Sequence, residues 1–170
     1  MHFGFSYVGV IILLMLYLPN ILWTKRKPKD YDYYAKRENR VLLFFERVGE
    51  VAISALILVF EDFNFHLPLS RLPLLILAFV LMLLYELYWL RYFRSDKEMV
   101  DFYRPFLGIP VPGASLPVVA VLLIALYGSN PFLLAAGAIL GVGHIGIHAI
   151  HYKETKKNTD PEGSDKDGKQ

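Results

Sequence analysis

Residues 132 to 152 read FLLAAGAILGVGHIGIHAIHY, a run without a single acid, lysine or arginine, broken only by His144, His148 and His151. At about 1.5 Å per helical residue, a run of this length crosses the roughly 30 Å of hydrocarbon in a bilayer. Four more apolar stretches accompany it. Phe3 to Trp23 is uncharged, and Val41 to Phe60 contains Glu46, Arg47 and Glu50. Leu72 to Tyr92 contains Glu86, and Val111 to Tyr127 is short and edged by Pro110, Pro112 and Pro117. The sequence therefore predicts an all-α fold, a polytopic transmembrane helix bundle of five spans.

Composition supports that class. The 170 residues are 55% hydrophobic and 20% charged, against about 45–50% and 25% in an average soluble domain. Residues 1–153 form the expected bundle, and residues 154–170, with five acids among four lysines, are expected to be a disordered polar cytoplasmic tail. The absence of cysteine excludes disulfide scaffolds, thiolate metal sites and thiol nucleophiles. A net charge of +2 and the lack of a Gly-rich phosphate loop argue for no nucleic-acid partner. The first stretch lacks the basic start and small-residue cleavage site of a signal peptide, so it reads as a retained helix.

Loop charges predict the orientation, because Lys and Arg near short loops collect on the cytoplasmic side. Loop 24–40 holds seven, Arg91, Arg94, Lys97 and Arg104 follow the third span, and Lys153 with the tail makes five, whereas the opposite side holds Arg71 alone. This places the N-terminus outside and the C-terminus in the cytoplasm of a multi-pass cell-membrane protein, with the lipid bilayer as its partner and homo-oligomerisation compatible with its size. Pro28 and Asp30 read as the start of a helix carrying Tyr31, Tyr34 and Glu38 into the second span. Ser95 to Glu98 has capping-box spacing, which predicts a short interfacial helix through Met99, Phe102 and Tyr103. Trp23, Tyr85, Tyr88, Trp89 and Tyr92 fit an interfacial aromatic belt.

The embedded polar residues are the functional signal, since an ionisable group in hydrocarbon costs about 2.5 to 3.5 kcal/mol on insertion scales. Measured from the cytoplasmic end of each predicted span, Glu46 and Glu50 lie about 8 and 14 Å deep, Glu86 about 9 Å, Asn20 about 5 Å, and the histidines between about 2 and 12 Å. All fall in one leaflet. At about 100° per residue His144, His148 and His151 share one stripe, continued by Gly137 and Gly141 as a surface for close helix packing. Glu46 and Glu50 share a face of the second span, and Arg47 is placed to pair with Glu50 or Glu86 or to extend outward. Glu46, Arg47, Glu50, Glu86 and Asn20 are the candidate ligand-binding residues, and His144, His148 and His151 the candidate metal ligands. Imidazole together with carboxylate suits a divalent metal such as Zn, Mn or Fe. Similar depths further pair Glu50 with His144.

Three functions compete for this pattern. One is a cytoplasm-side intramembrane pocket binding a metal or polar small ligand, with or without chemistry on a lipid-soluble substrate. Another is an oligomeric proton- or cation-coupled transport subunit, and the third a non-catalytic accessory protein. The segments from Glu38 to Glu50 and Gly141 to His151, with Leu18-Pro19-Asn20 and Gly108 to Ser115, resemble a group of small uncharacterised multi-pass membrane proteins of Gram-positive bacteria. That resemblance implies membrane residence and nothing about activity.

Overall fold

A computed structural model describes residues 1–67 and 69–159. Eight α-helices follow in chain order: α1 Tyr7–Thr24, α2 Tyr31–Ala35, α3 Arg40–Val59, α4 Leu72–Phe93, α5 Met99–Tyr103, α6 Pro112–Tyr127, α7 Pro131–Leu140 and α8 Gly146–Thr159. A π-helical turn, Gly141–Ile145, joins α7 to α8 without a break. The protein is all-α, and the described residues contain two isolated bridges, Phe3 with Phe60 and Phe106 with Ile109, but no strand.

Local chemistry sets the boundaries. Ser6 caps α1 by accepting from the Gly9 amide at 2.9 Å, Asn39 caps α3 through the Val41 amide at 2.8 Å, and Asn130 caps α7 through Leu133 at 2.9 Å. Each satisfies an amide that a helix start leaves without an internal acceptor. The carbonyls left over at the end of α3 are taken by the segment before α1, whose Gly4 and Ser6 amides donate to Val59 and Leu58 at 3.0 and 3.1 Å. These bonds set the end of α3 beside the start of α1. Nearby, the Asp62 carboxyl is held below its ordinary value: partial burial opposes ionisation, but hydrogen bonds from the His2 amide and ring outweigh it.

The five long segments alternate in direction. α4 packs on α6, α6 on α7 and α7 on α3, while α1 closes the ring against α3 and α4. Gly128 and Asn130 lie at the end shared with residues 1–6, and loops 25–39 and 94–111 lie at the other, which is rich in lysine and arginine. The second is called the basic end below. α6 is the central helix, with most of its length buried between α4 and α7.

Several sequence-based expectations change here. Among the described residues three helices, not five, are long and apolar enough to cross a bilayer: Tyr7–Thr24, Leu72–Phe93 and the continuous Pro131–Thr159. α3 has the length but carries Arg40, Glu46, Arg47 and Glu50, and α6 has only 16 residues. The helix at Tyr31 stops at Ala35 instead of running into α3, because Asn39 adopts an extended backbone and starts a new helix. Glu98, not Ser95, begins α5, in a reciprocal capping box with Asp101, while the Ser95 hydroxyl donates to the Tyr92 carbonyl at 2.8 Å. Tyr85, Tyr88, Trp89 and Tyr92 form no interfacial belt but are at most 4% exposed. They pack with Phe102 of α5, and their hydroxyls are satisfied internally, Tyr88 by the Phe102 carbonyl at 2.8 Å and Tyr92 by that of Arg26 at 2.7 Å. Residues 154–159, expected in the polar tail, continue α8 to Thr159, anchored by a hydrogen bond from the Asn158 amide to the Tyr34 hydroxyl, and the rest of the expected tail, residues 160–170, lies outside the described residues.

Glycine lets α3 and the last helix meet backbone to backbone. A Cβ on Gly49 would lie 2.6 Å from the Leu140 backbone, and one on Gly143 would fall on the backbone of Leu42 and Glu46. Gly141, expected on a face for close helix packing, meets one side chain, the Val118 Cγ1 methyl, 3.2 Å from where a Cβ would stand. Gly143→Ala is therefore expected to destabilise the protein by about 1–3 kcal/mol through overpacking, read as a lower melting temperature in detergent. Gly141→Ala should be close to neutral, as alanine favours helix over glycine. Equal losses would place the tight contact elsewhere.

Candidate functional site

The ring of helices encloses a cavity of about 800 Å³ that reaches from the middle of the bundle toward its basic end. Every long helix contributes to its wall: Leu13, Tyr17 and Asn20 from α1, Glu46, Arg47, Glu50 and Ser54 from α3, Tyr85 and Trp89 from α4, Pro117 and Val121 from α6, and Leu140, His144 and His148 from the last helix. Buried Ile12, Ile57, Phe63, Ile124 and Leu133 belong to the apolar core beyond it, and none of them lines the cavity.

Glu46 is the buried acid of α3, and its Oε1 lies 2.5 Å from His144 Nδ1 on the π-helical turn. One turn further on, the His148 ring centroid is 4.5 Å from that of His144. Glu46, His144 and His148 each offer a ligand atom, and these three atoms lie within 4.8 Å of one another. The glycine contact makes this convergence possible, because Gly143 lets the π-helical turn sit against the Glu46 backbone itself. Such single wide turns often occur at functional positions, where they re-aim one side chain without ending the helix.

A hydrogen-bonded chain behind the site orients His148. Its Nδ1 is 3.2 Å from the Tyr103 hydroxyl, which is also 3.0 Å from His151 Nδ1, and His151 Nε2 is 3.7 Å from Glu38 Oε1. Burial raises the Tyr103 phenol far above its ordinary range, so it keeps its proton and has one hydrogen to donate. The arrangement that serves every group has His148 Nδ1–H donating to Tyr103, Tyr103 donating to His151 Nδ1, and His151 Nε2–H directed at Glu38. It leaves the His148 Nε2 lone pair free for the cavity. Burial, and secondarily the charge of Glu46, raises the Glu38 carboxyl, with Arg47 acting in opposition.

The candidate residues thus divide. Glu46, Arg47, Glu50, Asn20, His144 and His148 are brought to one cavity. Arg47 pairs with Glu50, Nη1 to Oε2 at 2.9 Å, and Asn20 donates to the Tyr85 hydroxyl at 2.9 Å and the Leu16 carbonyl at 2.7 Å. His151 is buried behind the site on Tyr103, outside the three-residue cluster that the sequence stripe assigned to it. Glu86 does not line this cavity, and its Oε1 is buried without a hydrogen-bond partner among the described residues. The acid facing His144 is Glu46, one turn from the expected Glu50. Tyr103 and Glu38 acquire roles that no spacing in the sequence signals, because α5 and the segment before α3 reach the histidines only through tertiary packing.

No protein-family model, curated protein or solved structure matches this chain.

Partners in contact couple energetically, while pairs that share only a cavity wall add independently. Glu46→Gln and His144→Ala should therefore show an interaction energy of about 0.5–3 kcal/mol in a double-mutant cycle of detergent melting, the double costing less than the sum. Glu50→Gln with His144→Ala should be additive within about 0.5 kcal/mol. The reverse ranking would assign the histidine to Glu50.

Proposed function

We propose that the protein is a multi-pass membrane protein whose intramembrane cavity holds a divalent metal ion on Glu46, His144 and His148. The observation carrying this reading is the convergence of one carboxylate and two imidazoles from two helices on one end of a cavity, with His148 oriented from behind by Tyr103. Carboxylate and imidazole together suit Zn, Mn or Fe, and a hydrogen-bonded second partner is what a ligating histidine ordinarily has. Three protein ligands leave a coordination position facing the cavity, the arrangement of a metal that binds and polarises an oxygen of a guest molecule.

The membrane setting extends from three spans to five on the same evidence of packing. The outward residues of α3, Val41, Phe44, Val48, Val51 and Val59, are exposed and apolar, while Glu46 is turned inward. α6 lies between two helices that are long enough to span. The one-sided distribution of lysine and arginine supports a cytoplasmic basic end. The cavity is walled off by apolar side chains on the other side, which favours ligand binding over a conducting path.

Cobalt(II) titration of chelator-treated protein in detergent tests the assignment. Visible absorption bands of protein-bound cobalt are expected, saturating near one ion per chain. Glu46→Gln and His148→Ala should abolish them, and Tyr103→Phe, which removes only the group behind His148, should weaken binding about 10- to 100-fold. Equal binding by all the variants would exclude the site.

A further inference from the structure

The two ends of the bundle differ sharply in charge. Loops 25–39 and 94–111, with Arg40, Arg91 and residues 153–159 beside them, carry fourteen lysines and arginines against seven acids, Glu38 included. Residues 160–170 lower that excess of seven only to five, and the opposite end carries Glu61 and Asp62 against Arg71. At the basic end Asp32 lies 3.9 Å from Lys27, Glu98 3.4 Å from Lys29 and Glu38 3.7 Å from His151. Lys25, Arg26 and Arg94 are exposed and reach no carboxylate among the described residues. Even with Asp96 counted, two residues along the chain from Arg94, these three leave an excess of two positive charges.

Their position is as informative as their charge. Lys25 and Arg26 follow directly on α1 and Arg94 on α4, two helices long enough to cross a bilayer. The two helix ends are joined there, since the Tyr92 hydroxyl donates to the Arg26 carbonyl at 2.7 Å and the Arg26 guanidinium lies 5.9 Å from the centre of the Phe93 ring. About one turn further into the span, Ile21, Leu22 and Leu90 are 50–59% exposed. Apolar surface suited to acyl chains thus gives way, within about a turn of helix, to cations without partners. Lys27, seated 5.5 Å from the Trp23 ring and 5.7 Å from that of Tyr31, marks the same boundary, where aromatic and basic side chains meet headgroups.

We propose that the corner formed by Lys25, Arg26 and Arg94 binds the headgroup phosphate of an anionic phospholipid in the leaflet at the basic end. The inference rests on membrane residence and is independent of the metal reading. A phospholipid is the occupant that matches both halves of the surface, phosphate against the cations and acyl chains against Ile21, Leu22 and Leu90, whereas a soluble acidic protein matches the charge alone. The headgroup is net anionic because a zwitterionic one carries its own ammonium beside the phosphate, and the excess of cations here already lacks counter-charge. Two guanidinium groups supply planar pairs of donors for phosphate oxygens, and the lysine adds a point charge.

Native mass spectrometry of the full chain, in mild detergent with equimolar dioleoyl phosphatidylglycerol and dioleoyl phosphatidylcholine, tests this. Phosphatidylglycerol adducts are expected to exceed phosphatidylcholine adducts at least fivefold. Lys25→Gln/Arg26→Gln/Arg94→Gln should bring the ratio close to one, with the melting temperature in lipid-free detergent unchanged because all three side chains are exposed. Lys36→Gln/Lys156→Gln/Lys157→Gln removes the same charge from exposed positions on α2 and the last helix and should keep the preference. Equal adducts of both lipids in the wild type, or equal loss of preference in the two triple variants, overturns the corner as a binding site. So does a wild type in phosphatidylcholine nanodiscs that binds a soluble polyglutamate peptide while phosphatidylglycerol fails to compete, which assigns the cations to an acidic protein. Each of these results leaves the metal site standing, whereas a chain that stays monodisperse in water without detergent overturns the membrane reading and this inference together.

Discussion

The backbone contact between α3 and the last helix, made through Gly49 and Gly143, is the constraint on which the cavity depends. With no side chain at either position, the π-helical turn lies directly against the turn of α3 that bears Glu46, and His144 meets that carboxylate at hydrogen-bonding distance. A larger residue would push the helices apart by more than the slack in such a bond, because interiors are packed too densely to absorb the displacement. Two charged or polar groups that would each be costly in hydrocarbon are thereby joined.

The same contact explains why the polar chamber stays narrow on one side and opens on the other. α3, α7 and α6 are in continuous contact, as are α6 and α4, whereas α1 meets α3 tightly only at Gly9. α1 therefore forms one edge of the cavity, where Tyr17 and Ser54 are hydrogen-bonded. At the basic end the aromatic cluster of Tyr88, Trp89, Tyr92 and Phe102 fills the space below the chamber, and α5 uses that packing to carry Tyr103 to His148. Fold and site are thus built from the same contacts.

Much of this was legible in residues 1–159. The apolar runs mark most of the helices, and Asn20, Glu46, Glu50, His144 and His148, expected in one leaflet of the spans, line one cavity together with Arg47. What failed was azimuth and partnership. A uniform 100° per residue put His151 on the same face as His144 and His148, but His151 is engaged by the Tyr103 hydroxyl and lies outside the cluster of Glu46, His144 and His148. Depth matched His144 to Glu50, whereas the acid that meets it is Glu46, one turn away, and depth gave no reason to separate Glu86 from them. The aromatic residues of α4 were misplaced for a related reason: tyrosine and tryptophan suit an interface in general, yet here their hydroxyls find backbone carbonyls inside the protein and the rings can be buried.

The central claim is that Glu46, His144 and His148 form a metal site in the membrane-embedded part of the chain. Elemental analysis of the protein purified in mild detergent, without added metal, tests it most directly. The account predicts close to one first-row divalent metal ion per chain in the wild type and none in Glu46→Gln/His144→Ala. A wild type carrying no more metal than the double variant would contradict it.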